Sequence, residues 1–170
     1  MADALYARTA RELRDIVRNR DASAREVTRS FLDRIEAVDG RVGAYLNVWA
    51  DHALDQADHV DARIAKGEDA GPLAGVPVGL KDNLCTSYGT TTCASKILAG
   101  FESPYDATIV SRLRDSGAIF LGKLNMDEFA MGSSTGNTSV KRTCTPWTST
   151  LCLEDRAEAR PPGSSRTKPR

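Results

Sequence analysis

The stretch Gly75-Val76-Pro77-Val78-Gly79-Leu80-Lys81-Asp82-Asn83 decides how this chain folds. It closes a near-continuous apolar run from Leu73 to Leu80, whose β-branched residues suit a strand covered on both faces in a parallel or mixed sheet. The far end of that strand delivers Lys81. Downstream, Asp106 is placed to cap a helix running to about Asp115, with Ile109, Val110 and Leu113 apolar, and Gly117 is placed to end it. Ala118 to Leu121 is then a second apolar strand, which completes a strand, helix, strand unit. Asp127 to Met131 has the pattern of one helical turn, with Met126 and Phe129 assigned to the core.

Upstream the pattern is helical. Thr9 to Glu12 and Ser23 to Glu26 both carry the S/T-x-x-E capping box, in which hydroxyl and glutamate reciprocally satisfy the first free amides of a helix. Two helices are predicted to start there. In the second, Val27, Phe31, Leu32, Ile35 and Val38 recur at helical spacing, so one face must pack on something, and Asp39-Gly40 is expected to end it. Ala44 to Trp49 reads as a short strand and Asp51 to Ile64 as a third helix, closed by Lys66-Gly67. The fold class is α/β: N-terminal helices followed by part of a mixed β-sheet covered by helices.

The chain has 170 residues, with 23 Lys plus Arg against 23 Asp plus Glu, so overall charge argues for neither a nucleic-acid footprint nor a membrane surface. That neutrality hides a division. Residues 141–170 hold seven basic and three acidic side chains, which leaves 16 basic against 20 acidic in residues 1–140. No apolar run has the length of a membrane span, and Met1-Ala2-Asp3-Ala4 lacks the blocks of a secretory signal, so no membrane association is expected. Cys85, Cys93, Cys144 and Cys152 follow no metal-knuckle spacing and are expected to be free thiols. His52 and His59, two helical turns apart, are expected to be solvated helix residues, and no metal is expected.

A second segment, Gly122-Lys123-Leu124-Asn125-Met126-Asp127-Glu128-Phe129-Ala130-Met131-Gly132, is followed by Ser133-Ser134-Thr135. The two segments together resemble the amidase signature family, and within it the branch of glutamyl-tRNA(Gln) amidotransferase A subunits. The resemblance runs from about Thr9 to Ser139. It implies an incomplete amidase signature fold over residues 1–140 and a Ser-Ser-Lys hydrolytic centre in which Lys81 is the catalytic lysine. It also implies that Met131, Gly132, Ser133 and Ser134 form a substrate-binding wall of the amide pocket. The family activity would be hydrolysis of glutamine to supply ammonia for converting Glu-tRNA(Gln) to Gln-tRNA(Gln). B and C subunits are the implied partners, and Glu-tRNA(Gln) is reached through the complex. ATP and Mg belong to the assembled complex, with no cofactor in this chain. A cytoplasmic location is expected, with plastid or mitochondrion as alternatives.

An ordinary lysine is a poor base near neutrality because its free-solution pKa is about 10.4. Burial disfavours the ammonium form, and the run Val76 to Leu80 is expected to provide apolar walls around Lys81. A neutral amine could then accept a proton through a bridging serine and activate a second serine for attack on an amide carbon. Without the family context Lys81 reads as a lysine snorkelling from a strand end, and it is the nine-residue context that reverses this. Asp82 and Asn83 either hold the lysine or cap the next turn.

Past residue 140 the pattern changes. Thr145-Pro146-Trp147 echoes the segment that precedes the family's bridging-serine run, and Pro161-Pro162-Gly163-Ser164-Ser165-Arg166 is a late, imperfect echo of the run itself. The segment bearing the acyl-forming serine has no counterpart. Residues 141–170 are therefore expected to be an aberrant, disordered tail, and the chain alone is expected not to hydrolyse amides. Two other readings remain open: part of a stand-alone amidase acting on a small-molecule amide, or a non-catalytic interaction fragment.

Overall fold

The computed structural model describes residues 4–132 and 140–144. Both capping boxes form. Thr9 accepts from the Glu12 amide and starts α1, Ala10–Asn19. Ser23 accepts from the Glu26 amide and starts α2, Ala24–Val42. α2 passes through Asp39-Gly40 instead of ending there, because the Asp39 carboxylate accepts from the Ala44 amide at 2.7 Å and ties the helix to the strand that follows. The turn is made at Gly43, in the left-handed region at φ 68°. β1, Tyr45–Val48, leads into α3, Ala50–Ala65.

β2 occupies only Pro77–Lys81, the second half of the predicted run. Residues before it turn: Val76 N donates to Leu73 O, and Gly71 and Gly75 both take positive φ. α4 spans Thr108–Asp115 without a side-chain cap. Asp106 is turned elsewhere, accepting from Ser87 N at 2.7 Å and pairing with Arg114. β3, Ile119–Leu124, extends past the predicted Leu121.

The sheet has strand order β1-β3-β2, with β1 antiparallel and β2 parallel to β3, so it is mixed as expected. β3 is central and covered on both faces. Ile119 and Leu121 pack with Leu13, Val17, Val27, Leu54 and Val60 under the first three helices. Phe120 packs on the other face with Trp49, Leu80 and Val110, beneath α4.

One irregularity matters for the site. Val78 pairs with Phe120, but Gly79 pairs with Gly122, so the register shifts by one residue and Leu80 comes opposite Lys123. An unshifted ladder would have put Lys123 opposite Lys81, on the same face. The shift sends it to the face of Leu80.

Residues 141–144, the start of the expected tail, are tied to the fold. Cys144 N donates to Val42 O at 2.7 Å, Thr143 Oγ1 donates to Gly43 O, and Asn125 Nδ2 donates to Lys141 O at 2.6 Å. The rest of that expectation lies outside the described residues. Among the described residues no helix is long and apolar enough to cross a membrane.

Candidate active site

Lys81 ends β2 at the carboxyl edge of two parallel strands, where open α/β sheets place functional groups. Its side chain is exposed, and among the described residues it has no hydrogen-bond or ion-pair partner. The expected apolar walls are not beside it. Strand side chains alternate, so Leu80, 2% exposed, faces away from Lys81, and the same-face neighbour two residues back is Gly79. Sequestration of this amine is therefore not built from the Val76 to Leu80 run.

The buried lysine is Lys123, whose residue is 1% exposed. Its ammonium donates to Leu84 O at 2.5 Å and to Thr91 Oγ1 at 3.0 Å, and stands 3.7 Å from Asp82 Oδ1. Asp82 is equally buried, and its other oxygen accepts from Thr92 N at 3.1 Å, Thr92 Oγ1 at 2.5 Å and Ala94 N at 3.2 Å. Asp82 thus holds the loop that follows Lys81, and in doing so fixes the backbone that carries it. Burial pulls the Lys123 ammonium below the usual lysine range, and the Asp82 charge opposes that pull. Burial, then the Asp82 charge, pushes the Cys93 thiol up. Cys85 and Cys93 are free thiols, and Cys152 lies outside the described residues.

An aromatic clamp beside Lys123 holds the same loop. Trp49 meets Tyr88 edge-on at 5.3 Å, and Tyr88 stacks on His52 at 3.8 Å. Gly89 is required at the contact, since a Cβ there would come within 2.9 Å of the indole. His52 is thus half-buried and packed, not simply solvated. Burial first and Arg114 second hold its pKa below the ordinary histidine value, with Asp55 opposing. His59 is exposed. Among the described residues no group of three or more His, Cys, Asp or Glu side chains could hold a metal ion.

Of the expected pocket wall, Met131 is 76% exposed and Gly132 is exposed as well. Gly132 packs on Asp127, whose Cγ would lie 2.5 Å from an added Cβ, so its close approach serves that carboxylate. Ser133 and Ser134 lie outside the described residues. Met126 is core, as expected, whereas Phe129 is 46% exposed and adopts φ 53°. The sequence reading missed Lys123 because it ended the strand at Leu121. A lysine inside the run Ile119-Phe120-Leu121-Gly122-Lys123-Leu124 is the signal that marks it.

A mixed sheet between helices thus places a lysine at the carboxyl end of a parallel strand, the edge where α/β folds of many classes carry their functional groups. A family model described as Amidase matches residues 26–153, and the chain belongs to that family. The match extends past residue 140, where the sequence reading placed a boundary. Within the family, the chain is 58% identical over 143 residues to the A subunit of the glutamyl-tRNA(Gln) amidotransferase of Moorella thermoacetica, covering 84% of this chain and 29% of that protein. The solved structure of the corresponding A subunit from Thermotoga maritima matches with TM-score 0.59 and 34% identity over 73% of this chain and 25% of its own. The peptide amidase of Stenotrophomonas maltophilia matches with TM-score 0.71 and 34% identity over 78% of this chain and 28% of its own. The chain therefore spans under a third of the length of these relatives.

Proposed function

We propose that this chain supplies the lysine-bearing part of an amidase subunit that hydrolyses glutamine and delivers ammonia for making Gln-tRNA(Gln). The observation that carries the reading is the 58% identity to an amidotransferase A subunit over 143 residues, a span long enough to include Lys81 wherever it begins. Lys81 acts as the base, taking a proton through a bridging serine so that a second serine attacks the amide carbon. Covering the exposed amine and supplying both serines fall to segments beyond the described residues. In the assembled complex the B and C partners would bind Glu-tRNA(Gln), and ATP with Mg would supply the activation of its γ-carboxylate, in the cytoplasm. Met131 and Gly132, with Ser133 and Ser134, line the amide pocket in that assembly.

The test grafts residues 9–132 into the A subunit of the Moorella thermoacetica amidotransferase, assembles the graft with that organism's partner subunits, and measures glutamate release from glutamine. The graft is expected to be active, and Lys81→Met to lower kcat by about 10³-fold or more, as loss of a triad member does. Full activity of the Lys81→Met graft would refute the role given to Lys81. A second reading, a stand-alone amidase, is favoured by the higher TM-score against the peptide amidase. It predicts amide hydrolysis by the graft without partner subunits.

A further inference from the structure

Replacing a buried ion pair by apolar side chains of similar volume is often neutral or stabilising, so stability alone does not account for a charged pair inside this sheet. Three features locate its purpose. The register shift between β2 and β3 carries Lys123 to the face opposite Lys81. Its ammonium directs its contacts to Leu84 O, Thr91 Oγ1 and Asp82 Oδ1, all on the loop that leaves β2. Asp82 follows Lys81 directly, and its backbone is fixed twice, by its amide on Leu124 O at 3.2 Å and by the Cys93 amide on its carbonyl at 3.3 Å. A neutral side chain at 123 could fill the space but could not hold the carboxylate. A carboxylate without the ammonium would turn toward water and take the loop with it.

The geometry points to Lys123 as the positioning residue for Lys81: from beneath the sheet its ammonium locks Asp82 and the 84–94 loop, and so sets where the Lys81 amine stands. Lys123 does not touch substrate and takes no proton in the reaction. This inference rests on the role proposed for Lys81.

The test has two arms. In the 170-residue chain, Lys123→Met is expected to lower amide-exchange protection of Thr92 and Ala94 by about tenfold or more, because their carboxylate acceptor is released. Asp82→Asn in the Lys123→Met background, which leaves an uncharged acceptor in place, is expected to restore most of that protection. In the grafted enzyme, Lys123→Met is expected to lower kcat by about 10- to 100-fold with KM within about twofold, and the double variant to recover at least half of that loss on a logarithmic scale. A merely structural lysine would lower the yield of folded enzyme without moving kcat per active site. Unchanged kcat in Lys123→Met overturns the positioning role, as does, should that variant not fold, a double variant whose kcat falls by more than about tenfold. If Lys81→Met itself keeps activity, the failure belongs to the proposed function and not to Lys123.

Discussion

Asp82→Ala is the perturbation with the largest effect the structure allows near the site. It leaves the Lys123 ammonium buried with its carboxylate removed, which costs about 3–5 kcal/mol when one partner of a buried pair is taken away. It also orphans the Thr92 and Ala94 amides, each worth about 1–3 kcal/mol when buried without an acceptor. These losses share one network and do not add, so a total of about 4–6 kcal/mol is expected. Asp82→Asn keeps an acceptor for the amides and loses only the charge, at about 3 kcal/mol. Thr92→Val removes one hydroxyl donor, at about 1 kcal/mol. Urea unfolding measures all three in a Trp147→Phe background, which leaves Trp49 as the fluorescent reporter. The Lys123 ammonium sits 5.9 Å from the Trp49 ring, so the signal follows the network directly. Domains of this size have stabilities of about 5–15 kcal/mol, so Asp82→Ala falls close to unfolding while the other two remain measurable. A cost below about 1.5 kcal/mol for Asp82→Ala, or equal costs for the Ala and Asn variants, would refute the network as described.

Two further outcomes are expected. The folded-state pKa of His52 lies below the ordinary value of 6.5, so the unfolded chain takes up a proton first, and stability falls as pH drops below 6.5 toward the folded value. Denaturation midpoints between about pH 7 and pH 5 should show that decline, and His52→Gln should flatten it; an identical slope in the variant would count against the assignment. Gly122 has φ +149°, and an added Cβ would stand 2.1 Å from Asn47 O, so Gly122→Ala should cost about 3 kcal/mol by prising β1 from β3. Loss of exchange protection at the Trp49 amide, which donates to Leu121 O, would report the separation, and a midpoint near wild type would contradict it.

The sequence was legible where structure is decided locally. Both capping boxes depend on side chains three residues apart, and both helix starts fall where Thr9 and Ser23 place them. The strand, helix, strand unit was legible because Gly117 and the apolar runs bracket α4. What escaped depends on side-chain partners that the helical and strand patterns do not mark. Asp39 extends α2 by capturing the Ala44 amide, and Asp106 leaves the start of α4 for Ser87 and Arg114. The burial expected for Lys81 treated an apolar run as a wall on every side, whereas alternation puts Leu80 on the opposite face. Lys123 escaped because the strand was ended at Leu121, and the face it takes is set by a one-residue register shift against β2.

The sheet order β1-β3-β2 also governs assembly on the ribosome. Among the described residues the last strand, β3, occupies the middle, so β1 and β2 lack this shared neighbour until residues 119–124 emerge. The helices begun by Thr9 and Ser23 need only neighbouring residues and form earlier. Nascent chains arrested before Leu124 should therefore show helical signal without β-structure, and should expose two unpaired apolar strands to chaperones.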